Sequence, residues 1–553
     1  MTAAAEQAEQ KERPCVRLYL EGHALEYEMQ ALCFAFFPGR RVESVRVENR
    51  SLPAAPEGDF VWTRLRGRGE RLSALCCVRA GGRTARAGCR VDFAGAEAEQ
   101  RAARRAGMLF DREREGSEEK TAAARAEQTR KKACELALGR AFYRAASRAA
   151  EVRPPWGILT GIRPVKLARM WLSAGKTPEE TRELFEREYR VSPAKARLCL
   201  ATASAEQRIV DLSRPESASF YFGIPFCPTR CLYCSFISQD VEKAARLVPD
   251  YVRLLCEEIA ATGETAKRLG LRIETVYMGG GTPTALSAEQ LGQVLGAVNA
   301  SFDLSHLREF TVEAGRPDTI TREKLDAILA GGARRISINP QTLDDTVLRR
   351  IGRAHTAADV YRAFALARRA GVPCINMDLI AGLPGDSPEG FAHTLDAVLE
   401  LSPEAVTVHT LAMKRASRLV TEWGGLWDAA GESVSGMLDT AAARLQAAGY
   451  APYYLYRQKN TLGGLENVGF ARPGSEGLYN VFIMDETHSV LAAGAGGVTK
   501  LRQPFGGRIE RCFNFKYPYE YISRFGEILQ RKKKVDEFYG EFPWNRDEGK
   551  GKD

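Results

Sequence analysis

The chain has 553 residues, of which 44% are hydrophobic and 27% are charged, and it carries a net charge of +9 at neutral pH. This length favours several domains over one core, and the composition is typical of a globular protein rather than a disordered one. No run of about 18 apolar residues occurs and the N-terminus lacks an apolar leader, so the sequence predicts a cytoplasmic protein without a membrane span. The small basic excess permits an anionic substrate, and no basic stripe interleaved with aromatic residues points to a nucleic-acid partner.

Residues 1–150 predict an N-terminal α+β domain that ends in a charged helical connector. An alternating strand pattern starts at Cys15, and a helical pattern follows near residues 27–37. Further strand patterns recur at 41–47, 60–65, 72–78 and 84–91. From residue 98 the chain is rich in Ala, Arg, Glu and Lys, which is typical of a helix with a solvated face.

Residues 151–215 predict a helical linker, because Pro154-Pro155 ends the connector and two helical stretches follow. From 216 to 415 the pattern changes to repeated strand–helix units. Strands are predicted at 219–224, 273–278, 309–314, 335–339, 374–380 and 405–409. Helices are predicted between them at 244–269, 288–300, 322–330, 357–370 and 387–401.

Alternating strands and helices favour a parallel α/β sheet. Six units are too few for a complete eight-stranded barrel, so we expect a partial (β/α)6 barrel with its ligands at the carboxyl ends of the strands. Residues 416–553 predict a C-terminal α+β domain on the substrate side, with a helix near 434–448 and a charged tail that frays.

Three of the 13 cysteines are clustered directly after the first barrel strand, namely Cys227, Cys231 and Cys234. Three thiolates spaced C-x3-C-x2-C can bind one [4Fe–4S] cluster and leave its fourth iron open, which is typical of a catalytic metal site. A zinc site completed by a distant histidine is the alternative, but the next histidine downstream is His306. The pattern therefore favours the iron–sulfur cluster.

A glycine run, Gly279-Gly280-Gly281-Thr282, follows the second barrel strand. Glycines at a strand end allow a ligand to approach the backbone closely. Further polar residues occur at or after later strand ends, namely Glu313, Gln341, Arg353 and Asp378. Because a carboxylate inside an apolar strand needs a partner, we expect these groups to converge on a ligand.

With these motifs the chain resembles the radical SAM superfamily, in which a [4Fe–4S] cluster and S-adenosyl-L-methionine (SAM) together generate a radical. Within it, the barrel resembles the oxygen-independent coproporphyrinogen III dehydrogenase family in the segments YFGIPFC, GGGTPT, VEAGRPD, SINPQTLDDTVLRRIGRAHT and NMDLIAGLPGD. The flanking segments WGILTGIRPVKL, PYYLYRQKN, LENVGF and YNVFIMDETHSVLAAGAG are similar to its HemZ-type branch. The resemblance covers residues 152–515.

The resemblance implies that Cys227, Cys231 and Cys234 bind the cluster. The residues that it implies for SAM are Tyr221, Tyr233, Gly280, Gly281, Thr282, Glu313, Gln341, Arg353, Asp378 and Ala412. An electron donor such as flavodoxin or ferredoxin would reduce the cluster.

The implied reaction is oxidative decarboxylation of two propionates of coproporphyrinogen III, giving protoporphyrinogen IX in anaerobic haem and porphyrin biosynthesis. Because this tetrapyrrole carries four carboxylates, we expect cations around it. The candidates are Arg316, Lys414, Arg415, Arg457 and Lys459.

Phe236 stands where the well-studied enzymes of this family have a fourth cysteine. The related haem chaperones also lack that cysteine. Two alternatives therefore stay open: a haem-binding chaperone or trafficking protein on the same scaffold, and a radical SAM enzyme acting on another tetrapyrrole. The long N-terminal domain argues against the chaperone, which is usually shorter.

Overall fold

A computed structural model describes residues 14–47, 57–69, 71–105, 118–236, 238–413, 417–419, 431–458 and 461–545. The chain divides into two compact units. The first comprises Met1–Ser204, Thr410–Gly436 and Leu455–Asn467, and the second comprises Ala205–His409, Met437–Tyr454 and Val468–Asp553. The predicted division at residues 150, 215 and 415 is finer than these units and stays a prediction. Within the described ranges, no helix is both long and apolar enough to cross a membrane.

The first unit contains a five-stranded sheet in the order β2-β1-β3-β4-β5. Its strands are β1 (Cys15–Glu21), β2 (Arg41–Val47), β3 (Phe60–Arg68), β4 (Arg71–Ala80) and β5 (Arg83–Arg90). Strand β1 runs parallel to β2 and β3, whereas β3, β4 and β5 are antiparallel. One face buries alternating residues such as Leu18, Val61 and Ala74, so the predicted α+β domain is confirmed.

Among the described residues, six helices precede the barrel: α1 (Glu26–Phe36), α2 (Phe93–Arg105), α3 (Glu118–Ala149), α4 (Pro164–Ser173), α5 (Pro178–Arg187) and α6 (Pro193–Val210). The prediction of two helical stretches after Pro155 is wrong, because the structure has three. Each of the three begins at a proline, a residue that starts helices well because its missing N–H needs no partner in the first turn.

All six predicted barrel strands are confirmed in the second unit. They are β6 (Ser217–Ile224), β9 (Arg272–Gly280), β10 (Glu309–Glu313), β11 (Arg335–Ser337), β12 (Cys374–Ala381) and β13 (Ala405–Thr410). Two short strands, β7 (Phe226–Cys227) and β8 (Gln239–Asp240), form a separate ribbon after β6. The barrel strands are neighbours in chain order, and the registered pairs from β6 to β12 are parallel, so their carboxyl ends meet at one edge.

The helices between these strands are α7 (Val248–Arg268), α8 (Ala288–Ser301), α9 (Arg322–Ala330), α10 (Asp345–Arg350), α11 (Ala357–Ala370) and α12 (Pro388–Leu401). Five of them match the predicted helical patterns, whereas the short helix α10 was not predicted. Together with the parallel strands they form the partial barrel expected of a radical SAM fold.

The remaining described elements are strands that extend this sheet at both edges and the helices that lie before, between or after them along the chain. They are α13 (Gly431–Ala447), β14 (Ala451–Arg457), β15 (Glu466–Ala471), α14 (Leu478–Asp485), β16 (Ser489–Ala493), β17 (Val498–Arg502), β18 (Ile509–Phe513), α15 (Pro518–Ser523) and α16 (Phe525–Glu541). Strand β15 pairs antiparallel with β13, and β16 pairs parallel with β6.

The prediction that the tail frays is wrong as far as Glu541, because residues 525–541 form helix α16. This helix buries Val535 and Phe538 together with Lys532. Its apolar residues recur at helical spacing between charged ones, so the charges conceal an amphipathic helix. Residues 546–553 of the predicted tail lie outside the described residues.

Candidate functional site

The cysteine loop begins where β6 ends and is fastened at both ends by the backbone. Cys227 lies in the β7–β8 ribbon, and its carbonyl accepts a hydrogen bond of 2.9 Å from the Val241 N–H. Further along, the Leu232 N–H donates to the Ile351 carbonyl over 3.0 Å. Cys231 lies between these anchors and Cys234 follows the second by two residues, so all three predicted ligands lie in one short segment that the backbone holds.

The three thiols are shielded from solvent. Cys231 is buried, and Cys227 and Cys234 are half-buried. Burial raises the pKa of Cys227 and raises the pKa of Cys234 to about 11. Because metal ligation requires the thiolate, this site favours deprotonation only when a positive centre compensates the charge.

Arg316 braces the cysteine loop. Its guanidinium donates to Thr229 Oγ1 over 2.9 Å and to the Thr229 carbonyl over 3.3 Å, and one nitrogen lies 3.7 Å from Cys231 Sγ. Asp318 pairs with the same guanidinium over 3.2 Å. These contacts occupy the buried side chain, so its expected role as a cation for substrate propionates is not supported.

The glycine run, which begins in the last two residues of β9, lies directly against the cysteine loop. The N–H groups of Gly281 and Thr282 donate to the carbonyls of Ile224 and Phe226 over 2.7 and 2.8 Å. A Cβ at Gly281 would lie 2.6 Å from the Phe226 carbonyl oxygen and 3.0 Å from Cys227 Sγ. Only glycine therefore allows this approach, and Thr282 Oγ1 reaches Cys227 Sγ at 3.4 Å.

The donor set of the cysteine loop fits an iron–sulfur cluster. Three thiolates can bind three iron atoms of a cubane and leave the fourth iron open. This donor chemistry, together with the close approach of Gly281 to Cys227, is compatible with the cluster.

Tyr277 and Glu313 form the first polar pair beyond the glycine run. The Tyr277 hydroxyl donates to Glu313 Oε1 over 2.6 Å, and Glu313 ends strand β10. Burial raises the pKa of the Glu313 carboxyl to about 7. Tyr221, which is predicted to contact SAM, belongs to a stack of three tyrosine rings. The ring centroid of Tyr479 lies 4.5 Å from that of Tyr277 and 6.2 Å from that of Tyr221.

Gln341 adopts a left-handed backbone conformation, with φ of +66°, that a side chain rarely takes. Its N–H donates to the Asp378 carbonyl over 2.9 Å. Its Oε1 and the Oδ1 of Asn339 are buried, and neither has a hydrogen-bond partner among the described residues. Buried acceptors are normally satisfied, so these two atoms are available to donors on a ligand.

Asp378 lies on strand β12 and has a polar side chain beside each of its two carboxylate oxygens. Asn376 Nδ2 donates to Asp378 Oδ1 over 2.7 Å, and His409 Nε2 lies 3.7 Å from the other oxygen. Burial opposes ionisation, but the nearby His409 ring and the hydrogen bond from Asn376 hold the pKa of this carboxyl below its usual value. The site therefore holds two carboxyl groups, and their surroundings shift the two pKa values in opposite directions.

Arg353 and Tyr233 connect the cysteine loop with the strand ends. Arg353 Nη1 donates to the carbonyls of Asn339 and Gly315 over 2.6 and 3.3 Å, and its Nε lies 3.3 Å from the Tyr233 hydroxyl. The guanidinium is thus largely engaged by the protein, and burial raises the pKa of Tyr233. Together the two residues link the cysteine loop to the backbone beyond strands β10 and β11.

Other predicted residues belong to the first unit or lie outside the described residues. Ala412 belongs to the first unit, where it forms an isolated bridge with Thr461. Arg457 is also in that unit, and its guanidinium donates to the carbonyls of Gly464 and Leu159, which leaves little of it for a substrate. Three further cation candidates, Lys414, Arg415 and Lys459, lie outside the described residues.

Sequence reasoning missed Tyr277, Asn339 and His409. Tyr277 lies two residues before Gly279 on β9, and His409 is the penultimate residue of β13. For Tyr277 and His409 the signal is strand alternation, because every second residue of a barrel strand faces the same side. Asn339 lies two residues beyond the end of β11, where that signal does not apply.

Comparison with known proteins places these features in a family. Residues 221–398 match the radical SAM superfamily. The oxygen-independent coproporphyrinogen-III oxidase-like protein HemZ of Bacillus subtilis is 41% identical over 380 residues, which cover 68% of this chain and 76% of HemZ. The haem chaperone HemW of the same organism is 32% identical over 283 residues, which cover 50% of this chain and 70% of HemW.

A solved structure of coproporphyrinogen III oxidase (HemN) from Escherichia coli, described as a radical SAM enzyme, matches with a TM-score of 0.45 and 24% identity, covering 59% of this chain and 72% of HemN. The extent of the match to HemZ decides the assignment, since it includes most of both chains. The chain belongs to the radical SAM superfamily, whose members use a [4Fe–4S] cluster and SAM, and within it to the coproporphyrinogen oxidase-like family that includes HemZ.

Proposed function

We propose that this chain is a radical SAM oxidoreductase that converts coproporphyrinogen III into protoporphyrinogen IX. The observation that carries the proposal is the contact between the cysteine loop and the glycine run, where Thr282 Oγ1 lies 3.4 Å from Cys227 Sγ. Cys227, Cys231 and Cys234 would hold the cluster. When bound, the cluster and SAM supply one-electron chemistry that abstracts a hydrogen atom from an unactivated carbon.

The surrounding residues have the functional groups that SAM requires. Gly280 and Gly281 carry no side chains, so a ligand can approach the backbone at the end of strand β9, where Gly281 packs closely against the cysteine loop. The carboxyl groups of Glu313 and Asp378 would accept hydrogen bonds from the ammonium and hydroxyl groups of SAM. Gln341 supplies a buried acceptor without a partner among the described residues. Ala412 stays a proposed contact on resemblance alone.

The substrate assignment rests on likeness to HemZ, whose name describes it as coproporphyrinogen-III oxidase-like. In the proposed reaction each of two propionates loses CO2, one hydrogen atom and one electron and becomes a vinyl group. The hydrogen atom leaves from the β-carbon, and an external electron acceptor takes the electron. Because Arg316 and Arg457 are engaged by the protein, Lys414, Arg415 and Lys459 are the remaining predicted cations for the propionates.

A second function, haem binding by a chaperone on this scaffold, is favoured by Phe236. This residue replaces the fourth cysteine and is 62% exposed beside the cysteine loop. An exposed aromatic ring offers a stacking surface to a flat macrocycle such as haem. The likeness to HemW supports the same alternative.

The deciding experiment is anaerobic incubation of the reconstituted protein with SAM, a reductant, an electron acceptor and coproporphyrinogen III. Protoporphyrinogen IX formed with 5′-deoxyadenosine supports the proposal. Stoichiometric haem binding without turnover would reject it in favour of the chaperone. A Cys231→Ala variant is the control, since it should lose both turnover and the broad cluster absorption near about 400 nm.

A further inference from the structure

The last three strands of the first unit's sheet carry most of the chain's excess charge. Residues 60–90 contain eight arginines, one glutamate and no lysine, which gives an excess of seven positive charges. The net charge of the whole chain is +9. The rest of the molecule is therefore close to balanced, and the excess is concentrated in β3, β4 and β5.

Strand register places seven of these arginines on one face of the sheet. Residues that pair directly across neighbouring strands point to the same side. Ser73 pairs with Arg66 on one side and with Arg90 on the other, and Arg68 pairs with Arg71. The same register gives the full set, Arg64, Arg66, Arg68, Arg71, Arg79, Arg86 and Arg90, which we call the arginine face. The eighth, Arg83, pairs with Ala80 on the opposite face, where it is exposed and forms an ion pair with Glu151.

The arginine face lacks compensating negative charge within the described residues. Arg64 pairs with Glu21 over 3.0 Å, and no other arginine of the face has an ion pair with a described acidic residue. Arg68 and Arg71 lie directly opposite each other, which is destabilising for like charges. An exposed cluster of this kind costs stability unless an anion binds to it.

We propose that the arginine face binds RNA through its phosphates. All seven cations are arginines, whose planar guanidinium donates two parallel hydrogen bonds to a phosphate. An exposed sheet face suits single-stranded RNA, whereas duplex DNA is read by elements that enter a groove. The half-buried ring of Trp62 lies on the same face, as its pairing with Cys77 shows, and aromatic rings stack on unpaired bases.

An acidic membrane surface fits this face less well. Membrane-binding surfaces bury large apolar side chains in the lipid as well as presenting cations. Among the described residues of β3, β4 and β5, no large apolar side chain is exposed. The linear sequence gives no hint of this surface, because its arginines become neighbours only through the pairing of three strands.

The test uses the full-length protein and a fluorescein-labelled poly(U) RNA of about 20 nucleotides, with anisotropy measured between about 50 and 200 mM salt. The variant is R66Q/R68Q/R90Q. The matched control, R253Q/R322Q/R362Q, removes three positive charges from exposed helical positions of the second unit. We expect the variant to bind at least about tenfold more weakly and to lower the log–log salt slope by about 2, since each single-strand phosphate contact contributes about 0.7.

The control should bind RNA like the wild type, and RNA should protect β3, β4 and β5 from hydrogen exchange in the wild type. The proposal fails if the R66Q/R68Q/R90Q variant and the control bind equally. It also fails if the wild type prefers phosphatidylserine vesicles to RNA, which would assign the face to a membrane. Equal competition by single-stranded DNA of the same length would overturn the assignment to RNA.

Discussion

The Tyr277 hydroxyl donates a hydrogen bond of 2.6 Å to Glu313 Oε1, which links neighbouring strands β9 and β10. Burial raises the pKa of this carboxyl to about 7, so its ionisation changes near neutral pH. A hydrogen bond to the ionised form lowers a carboxyl pKa. Tyr277 therefore keeps Glu313 ionised at a lower pH than burial alone would allow.

Replacing Tyr277 with Phe should move the pH dependence of SAM binding. If ionised Glu313 accepts a hydrogen bond from SAM, affinity in the wild type rises as the pH increases through about 7. In Tyr277→Phe the carboxyl pKa rises further, so the same increase in affinity should shift upward by about one pH unit. The measurement is calorimetric titration of the reconstituted protein with SAM from pH 6 to 9.

Tyr479→Phe is the matched control for that experiment. Tyr479 stacks on Tyr277 with ring centroids 4.5 Å apart, but the structure shows the Glu313 hydrogen bond on Tyr277. The control should keep the wild-type profile. Identical profiles in all three proteins would show that Glu313 ionisation does not govern SAM affinity.

Replacing Gly281 with Ala should prevent cluster binding. The added Cβ would lie 2.6 and 2.9 Å from the carbonyl oxygens of Phe226 and Ile224 and 3.0 Å from Cys227 Sγ. These are mainly backbone atoms, so the cysteine loop must move. We expect iron per chain, and absorbance near about 400 nm, to fall several-fold after reconstitution.

Gly292→Ala serves as its control, because a Cβ at this position in α8 meets nothing within 4 Å. Alanine in a helix interior is more favourable than glycine by about 1 kcal/mol, so this protein should fold and load iron normally. Full iron content in Gly281→Ala would contradict the close packing of the two loops.

Replacing Arg316 distinguishes a structural role of this residue in the cysteine loop from a role in substrate binding. In Arg316→Gln the hydrogen bonds to Thr229 are lost, and bonds of a charged donor contribute about 1.5–3 kcal/mol each. We expect the cluster to be lost to an iron chelator about tenfold faster, with Arg322→Gln, a surface arginine, unchanged. Normal cluster retention together with a raised KM for coproporphyrinogen III would instead show that Arg316 binds the substrate.

The sequence predicts the barrel well because its strands are short, apolar and separated by regular helices. The cysteine and glycine motifs are local, so their spacing alone indicates the chemistry. Arg316 and Tyr277 are different, since their roles depend on the loop and strand that folding brings beside them. No local pattern distinguishes an arginine that binds a propionate from one that braces a loop.

The C-terminal tail shows the same limit of sequence-based prediction, because burial of a charged residue there depends on its partners. Residues 531–534 read Arg-Lys-Lys-Lys, which suggests a solvated end, yet Lys532 is buried in α16. Its ammonium donates to the Ala492 carbonyl over 2.6 Å and pairs with Glu258 over 2.9 Å. Glu258 is fully buried on α7, so this cation becomes structural only through a partner that is distant in sequence.

Replacing Lys532 with Met should therefore destabilise the second unit by about 3–5 kcal/mol, because it leaves the buried Glu258 charge without its cation. Lys534→Met on the same helix is the control, since Lys534 pairs with Glu510 at the surface and such pairs contribute about 0–1 kcal/mol. Urea denaturation followed by tryptophan fluorescence compares the two midpoints. Equal midpoints would mean that Asn514 and Tyr521, which donate to Glu258 over 2.7 and 2.6 Å, stabilise its charge without the lysine.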